Sequence, residues 1–334
     1  MQIAITGANG FLGGRLATVL AERGHHVRAV VRKQRDYDNL RHPNIEQFEG
    51  KDGYLTNRKV LEAAFSGCDQ VYHIAALAND WAQDLRQFYT INVQGTITVV
   101  EAAQAVGVAR VVATSTAGVF GPPHPAEVHP IDETHIRPVN FFNDYEASKS
   151  LAEERLQHLV RAGADVVIVN PTRVYGPGKL DRKNGYVLVM DRYLHKAFAL
   201  APGVKDVVGN YVHVDDVVAG HILAMEKGRS GEKYLLGGSD VTFTDLFRTL
   251  DEVSGKKGRS FRIPFGLIFL IASLHAWRAK WFGKAPMVTK GWFRKAAYDW
   301  PVSSDKARRE LGYQPMEFAE AVSKTVEWLK GIKS

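Results

Sequence analysis

A tyrosine and a lysine four residues apart, in Tyr145-Glu-Ala-Ser-Lys149, carry the clearest chemistry in this chain. On a helix that spacing puts both side chains on one face. A free tyrosine ionises near pH ~10, too high for a base at neutral pH, and a neighbouring ammonium favours the phenolate and lowers that value. A run of three hydroxyls, Thr114, Ser115 and Thr116, follows the apolar stretch Val111-Val-Ala113. These hydroxyls fall where a strand leaves the carboxyl edge of a sheet, the edge at which open α/β sheets bind ligands. One of them could donate to a substrate oxygen as charge develops there. The third cluster opens the chain: Met1-Gln-Ile-Ala-Ile-Thr-Gly-Ala-Asn-Gly-Phe-Leu-Gly13. Its glycines at 7, 10 and 13 separate a short apolar strand from a helical pattern with Leu12, Leu16, Val19 and Leu20 on one face. Strand, glycine turn and helix N-terminus together form the layout that seats a dinucleotide pyrophosphate.

The elements that must position these groups alternate in type. Residues 3–5, 27–31, 70–74, 110–114 and 166–170 read as strands; 60–65, 85–106 and 145–162 read as helices. Near-continuous apolar strands in βα alternation predict an α/β fold, a Rossmann-type doubly wound parallel sheet covered on both faces. After Pro171 the pattern changes to Gly- and Pro-rich turns, isolated helices and a Trp-rich stretch. Residues 1–170 are therefore expected to form the dinucleotide-binding domain and 171–334 mainly a smaller α/β substrate domain. The strand 212–214 and the helix after it, within about 207–230, are expected to return to the main sheet.

The bulk numbers narrow the class. With 334 residues and 45% hydrophobic composition the chain can bury a full core. Its net charge of +7 comes from 43 Lys and Arg spread among 36 Asp and Glu, with no nucleic-acid-binding signature, so no nucleic-acid partner is expected. A single cysteine, Cys68, excludes an intramolecular disulfide framework and fits a reducing, cytoplasmic location. No metal cluster is visible; His25 and His26 read as surface residues. The chain opens on a core strand, so no secretory leader is expected. The longest apolar run, 264–274, is shorter than the roughly 20 residues that span a bilayer.

Taken together, the motifs resemble the extended short-chain dehydrogenase/reductase family (the NAD-dependent epimerase/dehydratase superfamily) over essentially the whole length. They are Thr6-Gly-Ala-Asn-Gly-Phe-Leu-Gly13, Val71-Tyr-His-Ile-Ala-Ala76, Asn92-Val-Gln-Gly-Thr96, Thr114-Ser-Thr116, Tyr145 with Lys149, Pro171-Thr-Arg-Val-Tyr-Gly-Pro177 and Val212-His-Val-Asp-Asp216. The resemblance implies an enzyme with Tyr145 as general acid/base. Lys149 would bond the nicotinamide ribose, and Thr116 would orient the substrate with Ser115 as the fallback. Gly7, Asn9, Gly10, Phe11, Leu12 and Gly13 would line the pyrophosphate, and Ala75, Ala76, Thr114, Pro171 and Val174 would pass the cofactor. Asn92 would either sit near the cofactor or hold local backbone, and Asp216 would cap a helix.

Cofactor choice rests on the end of the second strand, Val30-Val-Arg-Lys-Gln-Arg35. An acid there suits the ribose hydroxyls of NAD, whereas Arg32 and Lys33 suit a 2′-phosphate, so NADP is the expected cofactor with NAD as the alternative. The family's acid after the third strand has only Asp52 as a counterpart, in an apparently lengthened stretch. Three functions compete: a reductase or dehydrogenase, a nucleotide-sugar epimerase or dehydratase, and a non-catalytic NADP-binding regulator. The complete Tyr, Lys and hydroxyl set argues against the regulator. Sugar-nucleotide members often carry Arg-Asp-Phe where this chain has Gly209-Asn-Tyr211, which removes a usual diphosphate clamp, although Arg173 could substitute. The later Ala285–Thr289 and Ser304–Tyr313 stretches resemble the dihydroflavonol reductase and 3β-hydroxysteroid dehydrogenase branch, which implies a bulky, apolar small-molecule substrate. The apolar stretch 261–282 reads as small-domain core, as a pocket lid, or, with Arg278, Lys280 and Lys284, as peripheral membrane contact. The family commonly dimerises through the helices at 85–106 and 145–162, so a homodimer is expected.

Overall fold

Seven parallel strands form the main sheet, in the order β10-β6-β5-β4-β1-β2-β3. They are β1 (Gln2–Thr6), β2 (His26–Arg32), β3 (Ile45–Gly50), β4 (Gln70–His73), β5 (Arg110–Thr114), β6 (Val166–Pro171) and β10 (Lys233–Leu236). The computed structural model describes the chain except for residues 33–37, 51–52, 125–128, 179, 181–183, 197, 203–204, 264–265, 267–293, 296 and 333–334. Lys33, Asp52 and nearly all of the apolar stretch beyond Ile263 thus lie outside the described residues.

Both faces of the sheet are buried, as the unbroken apolar runs require. In β1, Ile3 and Ile5 face one core with Leu16 and Leu20 of α1 (Phe11–Glu22) and Val217 and Ile222 of α7 (Val214–Lys227). Ala4 faces the other core, with Leu61 of α2 (Arg58–Phe65), Val99 of α4 (Gly95–Ala105) and Leu156 of α5 (Asp144–Arg161). The strand order reverses between β1 and β4, the switch point at which doubly wound sheets bind ligands. The helix expected over 85–106 is helical but not uniform: α3 (Arg86–Tyr89) passes through a π turn at Thr90–Gln94 before α4 begins.

A third core stands apart from the first two. It gathers Tyr175 of β7 (Arg173–Tyr175), Met190 of α6 (Gly185–Lys196), Tyr211 of β9 (Gly209–His213) and Leu246 of α8 (Phe243–Ser254). Val322 of a C-terminal helix (Phe318–Gly331) completes it. The helix after Asp215-Asp216 does pack on the main sheet, whereas β9 pairs with β7 and with β11 (Ser239–Val241) in a separate three-stranded sheet. Chain order explains the difference: β7 follows β6 after a single residue, leaves the main sheet, and offers β9 a parallel edge at Arg173–Tyr175. A parallel pair of β8 (Phe198–Pro202) and β12 (Arg259–Ile263) brings Phe261 to the surface. No helix among the described residues is long and apolar enough to cross a membrane.

Candidate active site

The glycine turn is closed by contacts that only backbone can make. Gly7 has φ +73°, and a Cβ there would lie 2.7 Å from the Ala75 backbone; one on Gly13 would lie 2.3 Å from the Gly7 carbonyl oxygen. The turn, the end of β4 and the start of α1 are thereby pressed together beside the switch point. Gly10 is the N-cap of α1 and supplies no side-chain cap, so the first-turn N–H groups at Phe11 and Leu12 remain available to an anion. This cradle fits a dinucleotide pyrophosphate. Asn9 and Ala76 are partly exposed beside it, and the Phe11 ring is covered by Gly178 of the Tyr175–Gly178 turn. Arg32 ends β2 exposed and in register with Gly50. Tyr54, which sequence reasoning missed, is buried under this end of the cradle and directs its hydroxyl toward the Val30 carbonyl at 3.5 Å.

The catalytic-type residues meet at the carboxyl edge of β5. Tyr145 lies in the first turn of α5, whose N-cap Asn143 accepts a hydrogen bond from the Glu146 amide at 2.9 Å. Thr116 Oγ1 accepts from Gly118 N at 3.1 Å, which leaves its own O–H for the Tyr145 hydroxyl, to which it is hydrogen-bonded. Lys149 is 3% exposed and donates from Nζ to the Thr114 carbonyl oxygen at 2.6 Å. Burial pushes the Tyr145 phenol up to about 12, against the Thr116 hydrogen bond that favours ionisation. Burial also pulls the Lys149 ammonium down to about 8, against the stabilising charge of Glu153. The depression by Lys149 expected from the four-residue spacing is not seen: Thr116 is the group that favours the phenolate, and the phenol is protonated at neutral pH.

The three hydroxyls separate in role. Thr116 bonds Tyr145; Thr114 Oγ1 bonds His221 Nε2 at 2.8 Å; Ser115 Oγ is buried with no protein partner among the described residues. Asn92 sits in the π turn, accepts from Leu77 N at 2.8 Å and donates to Ser148 Oγ at 3.0 Å, so it ties the chain after β4 to α5. Pro171 ends β6 in the core, and Val174 packs against the sheet's own apolar cluster.

Two supports escaped the sequence reading. Glu146, 0% exposed, is held by Arg137 at 2.8 Å and Lys295 at 2.5 Å, and Arg137 also donates to the Gly118 carbonyl. Glu153 accepts from Asn170 Nδ2 at 2.6 Å, and the same amide donates to the Thr116 carbonyl at 3.1 Å. The four-residue spacing of Lys149 and Glu153 was visible in the sequence; the Arg137 and Lys295 contacts, which come from distant segments, were not. No group of residues suited to hold a metal ion occurs among the described residues.

The comparisons with known proteins agree with this geometry. Residues 3–237 match the model of the NAD dependent epimerase/dehydratase family. "Sterol demethylase protein B" of Methylococcus capsulatus is 31% identical over 99% of this chain and 98% of its own length. A Stigmatella aurantiaca protein named "4-hydroxy-2-methyl-3-oxo-4-farnesyl-3,4-dihydroquinoline-1-oxide ketoreductase" is 31% identical over 94% of this chain and 92% of its own. In fold, the crystal structure of UDP-glucose 4-epimerase from Thermotoga maritima superposes with a TM-score of 0.81 at 24% identity, covering all of both chains. Glycine cradle, switch point, and Tyr145 beside Lys149 on a parallel seven-stranded sheet thus coincide with a family match over more than half the chain: this protein belongs to the NAD-dependent epimerase/dehydratase family of extended short-chain dehydrogenases/reductases.

Proposed function

We propose that this protein is a reductase or dehydrogenase that prefers NADP and acts on a hydrophobic ketone, aldehyde or secondary alcohol. The observation that carries the reading is the Thr116–Tyr145 pair: a phenol kept protonated, with a donor hydroxyl beside it, at the carboxyl edge of the sheet. Bound at the glycine cradle, with Arg32 near the adenosine end, NADPH supplies the hydride. Thr116 and Tyr145 hold the substrate oxygen, and Tyr145 gives its proton to that oxygen as negative charge develops. The Lys149 ammonium offsets the charge left on the phenolate oxygen. In the oxidative direction the same phenolate takes the proton back.

Two further points support a carbonyl substrate over a sugar nucleotide. Position 209 has no side chain, and its space is filled by Arg173, whose Nη1 would lie 2.0 Å from a Cβ there. A relative at 31% identity is named as a ketoreductase of a farnesyl-bearing compound. The epimerase reading rests on Arg173 itself, a half-buried guanidinium 5.3 Å over the Tyr211 ring, with no ion-pair partner among the described residues. It could meet a substrate phosphate. The reductase reading also includes a mainly substrate-binding unit over 171–334 and a homodimer through the helices at about 85–106 and 145–162.

The test is an absorbance screen with NADPH and NADH against aliphatic, aromatic and steroidal ketones, with UDP- and GDP-sugars run in parallel and products separated by chromatography. Net NADPH oxidation by an apolar carbonyl is the expected result. Sugar interconversion without net cofactor change would replace this reading with the epimerase.

A further inference from the structure

Between β5 and α5 lies a cavity of about 10 Å³ whose polar lining is Thr96, Thr114, Ser115, Lys149 and Glu153. That is room for one water, and a buried water needs two to four polar partners. Ser115 Oγ is one: its residue is 7% exposed and the hydroxyl has no protein partner among the described residues. Lys149 Nζ carries three N–H donors, of which one reaches Thr114 O. Glu153, one helical turn beyond Lys149 and 3% exposed, uses Oε1 for Asn170 and Oε2 for Lys233 Nζ at 2.6 Å. A carboxylate accepts about four hydrogen bonds, so a further donor can be received from the cavity side.

We propose that Glu153 is the positioning residue of this site: through one water held in the cavity by Ser115 Oγ, it keeps Lys149 charged and aimed. The same carboxylate, through Asn170, fixes the Thr116 carbonyl. One acid thus stands behind both groups that flank Tyr145. The groups facing Lys149 are Tyr145 and Glu153 from α5, His73 from β4, Thr96 from α4, Thr114 from β5 and Ser115 just beyond it. His73 is held neutral by burial, at about 3. Glu153 is therefore the negative charge that opposes the desolvation of the ammonium. Lys233, 32% exposed, competes for that charge from the outside.

The inference rests on the role given to Lys149 in the proposed function, but its test needs no substrate. The Lys149 side chain is titrated by NMR in the full-length protein carrying ¹³C-labelled lysine, with Lys149→Met to assign the resonance. Glu153→Gln should lower the Lys149 midpoint by about one pH unit or more, as expected for loss of a nearby opposite charge. Ser115→Ala should lower it less. Lys233→Met should raise it, since the competing cation is gone. An unmoved midpoint in a folded Glu153→Gln protein, or a shift of the same sign in Glu153→Gln and Lys233→Met, overturns the proposal. If Glu153→Gln does not fold, Lys233→Met decides alone: an unmoved or lowered midpoint rejects it. A failed substrate screen with these shifts intact would condemn the reductase reading and leave Glu153 in place.

Discussion

Tyr145 and Lys149 are each displaced from their ordinary ionisation by the same cause, burial, and in the directions that suit a proton donor beside a labile cation. Replacing Tyr145 with Phe removes the transferable proton while leaving the ring in the first turn of α5. Turnover should fall by about 10²–10⁴-fold, the usual contribution of a positioned acid, and NADPH affinity measured by fluorescence should hold within about twofold. Retained turnover would take the phenol out of the chemistry. In the proposed reductase reaction Lys149 sets the alkaline limit. It is charged below about 8 and neutral above, so kcat/KM should decline as pH rises through that value. Stability should move the other way. Between about 8 and the ordinary lysine value of 10.5, the unfolded chain binds the proton that the folded one has lost. The Lys149 contribution to stability therefore rises with pH across that window, by roughly 3 kcal/mol for a shift of this size, while the raised Cys68 thiol and buried tyrosines oppose it toward the upper end. Activity and melting temperature falling together on the alkaline side would mean loss of structure, not loss of the Lys149 charge.

The elements that carry the site differ in how openly the sequence announces them. β1, β5 and β6 are apolar on both faces, and their existence follows from composition alone. β3 lies at the sheet edge with Glu46, Gln47 and Glu49 exposed, so its polar residues hide it from an apolar pattern. The π turn at Thr90–Gln94 has no sequence signal either; it is recognisable only once Asn92 is seen reaching both Leu77 and Ser148. The Tyr145–Lys149 pair was legible because one helix supplies both members. The clamp on Glu146 was not, because its partners come from the chain before α5 and from a segment about 150 residues later. That clamp decides where α5 begins. Arg137 bonds Glu146 and the carbonyls of Gly118 and Val139, which joins the Thr116 turn to the first turn of α5. Arg137→Met should leave a buried carboxylate short of a partner and cost about 3–5 kcal/mol. It should also lower kcat by loosening Thr116 against Tyr145. A urea unfolding midpoint equal to the wild type would show that Lys295 alone satisfies Glu146.

At the scale of the whole molecule, buried histidines stitch the sheet to its helices, and they do so only while neutral. His73 on β4 meets Thr6 of β1 at 2.8 Å and Thr96 of α4 at 2.9 Å. Thr96 donates its own hydrogen to the Asn92 carbonyl, so the imidazole must donate from Nε2 and accept at Nδ1. His221 of α7 donates from Nδ1 to the Val217 carbonyl at 2.7 Å and accepts from Thr114 at Nε2. Burial holds the two rings down to about 3 and about 4, from 6.5. Burial holds His213 down to about 4 as well, so below pH 6.5 the unfolded chain takes up three protons at these rings that the native fold refuses, and their contribution to stability falls as the pH drops. Asp216 opposes this: burial raises it to about 6, so between there and 3.8 the native state binds its proton first. From the three rings and Asp216 the balance is two protons in favour of unfolding, about 2.7 kcal/mol per pH unit between pH ~6 and ~4. Two substitutions separate the contributions. His221→Gln keeps a donor and an acceptor in place without a titrating ring, so its melting temperature should lose less between neutral and acid pH than the wild type. Asp216→Asn removes the opposing proton and should lose more. Parallel pH profiles for all three proteins would mean that acid unfolds this fold through other groups, and that α7 is held to the sheet by packing alone.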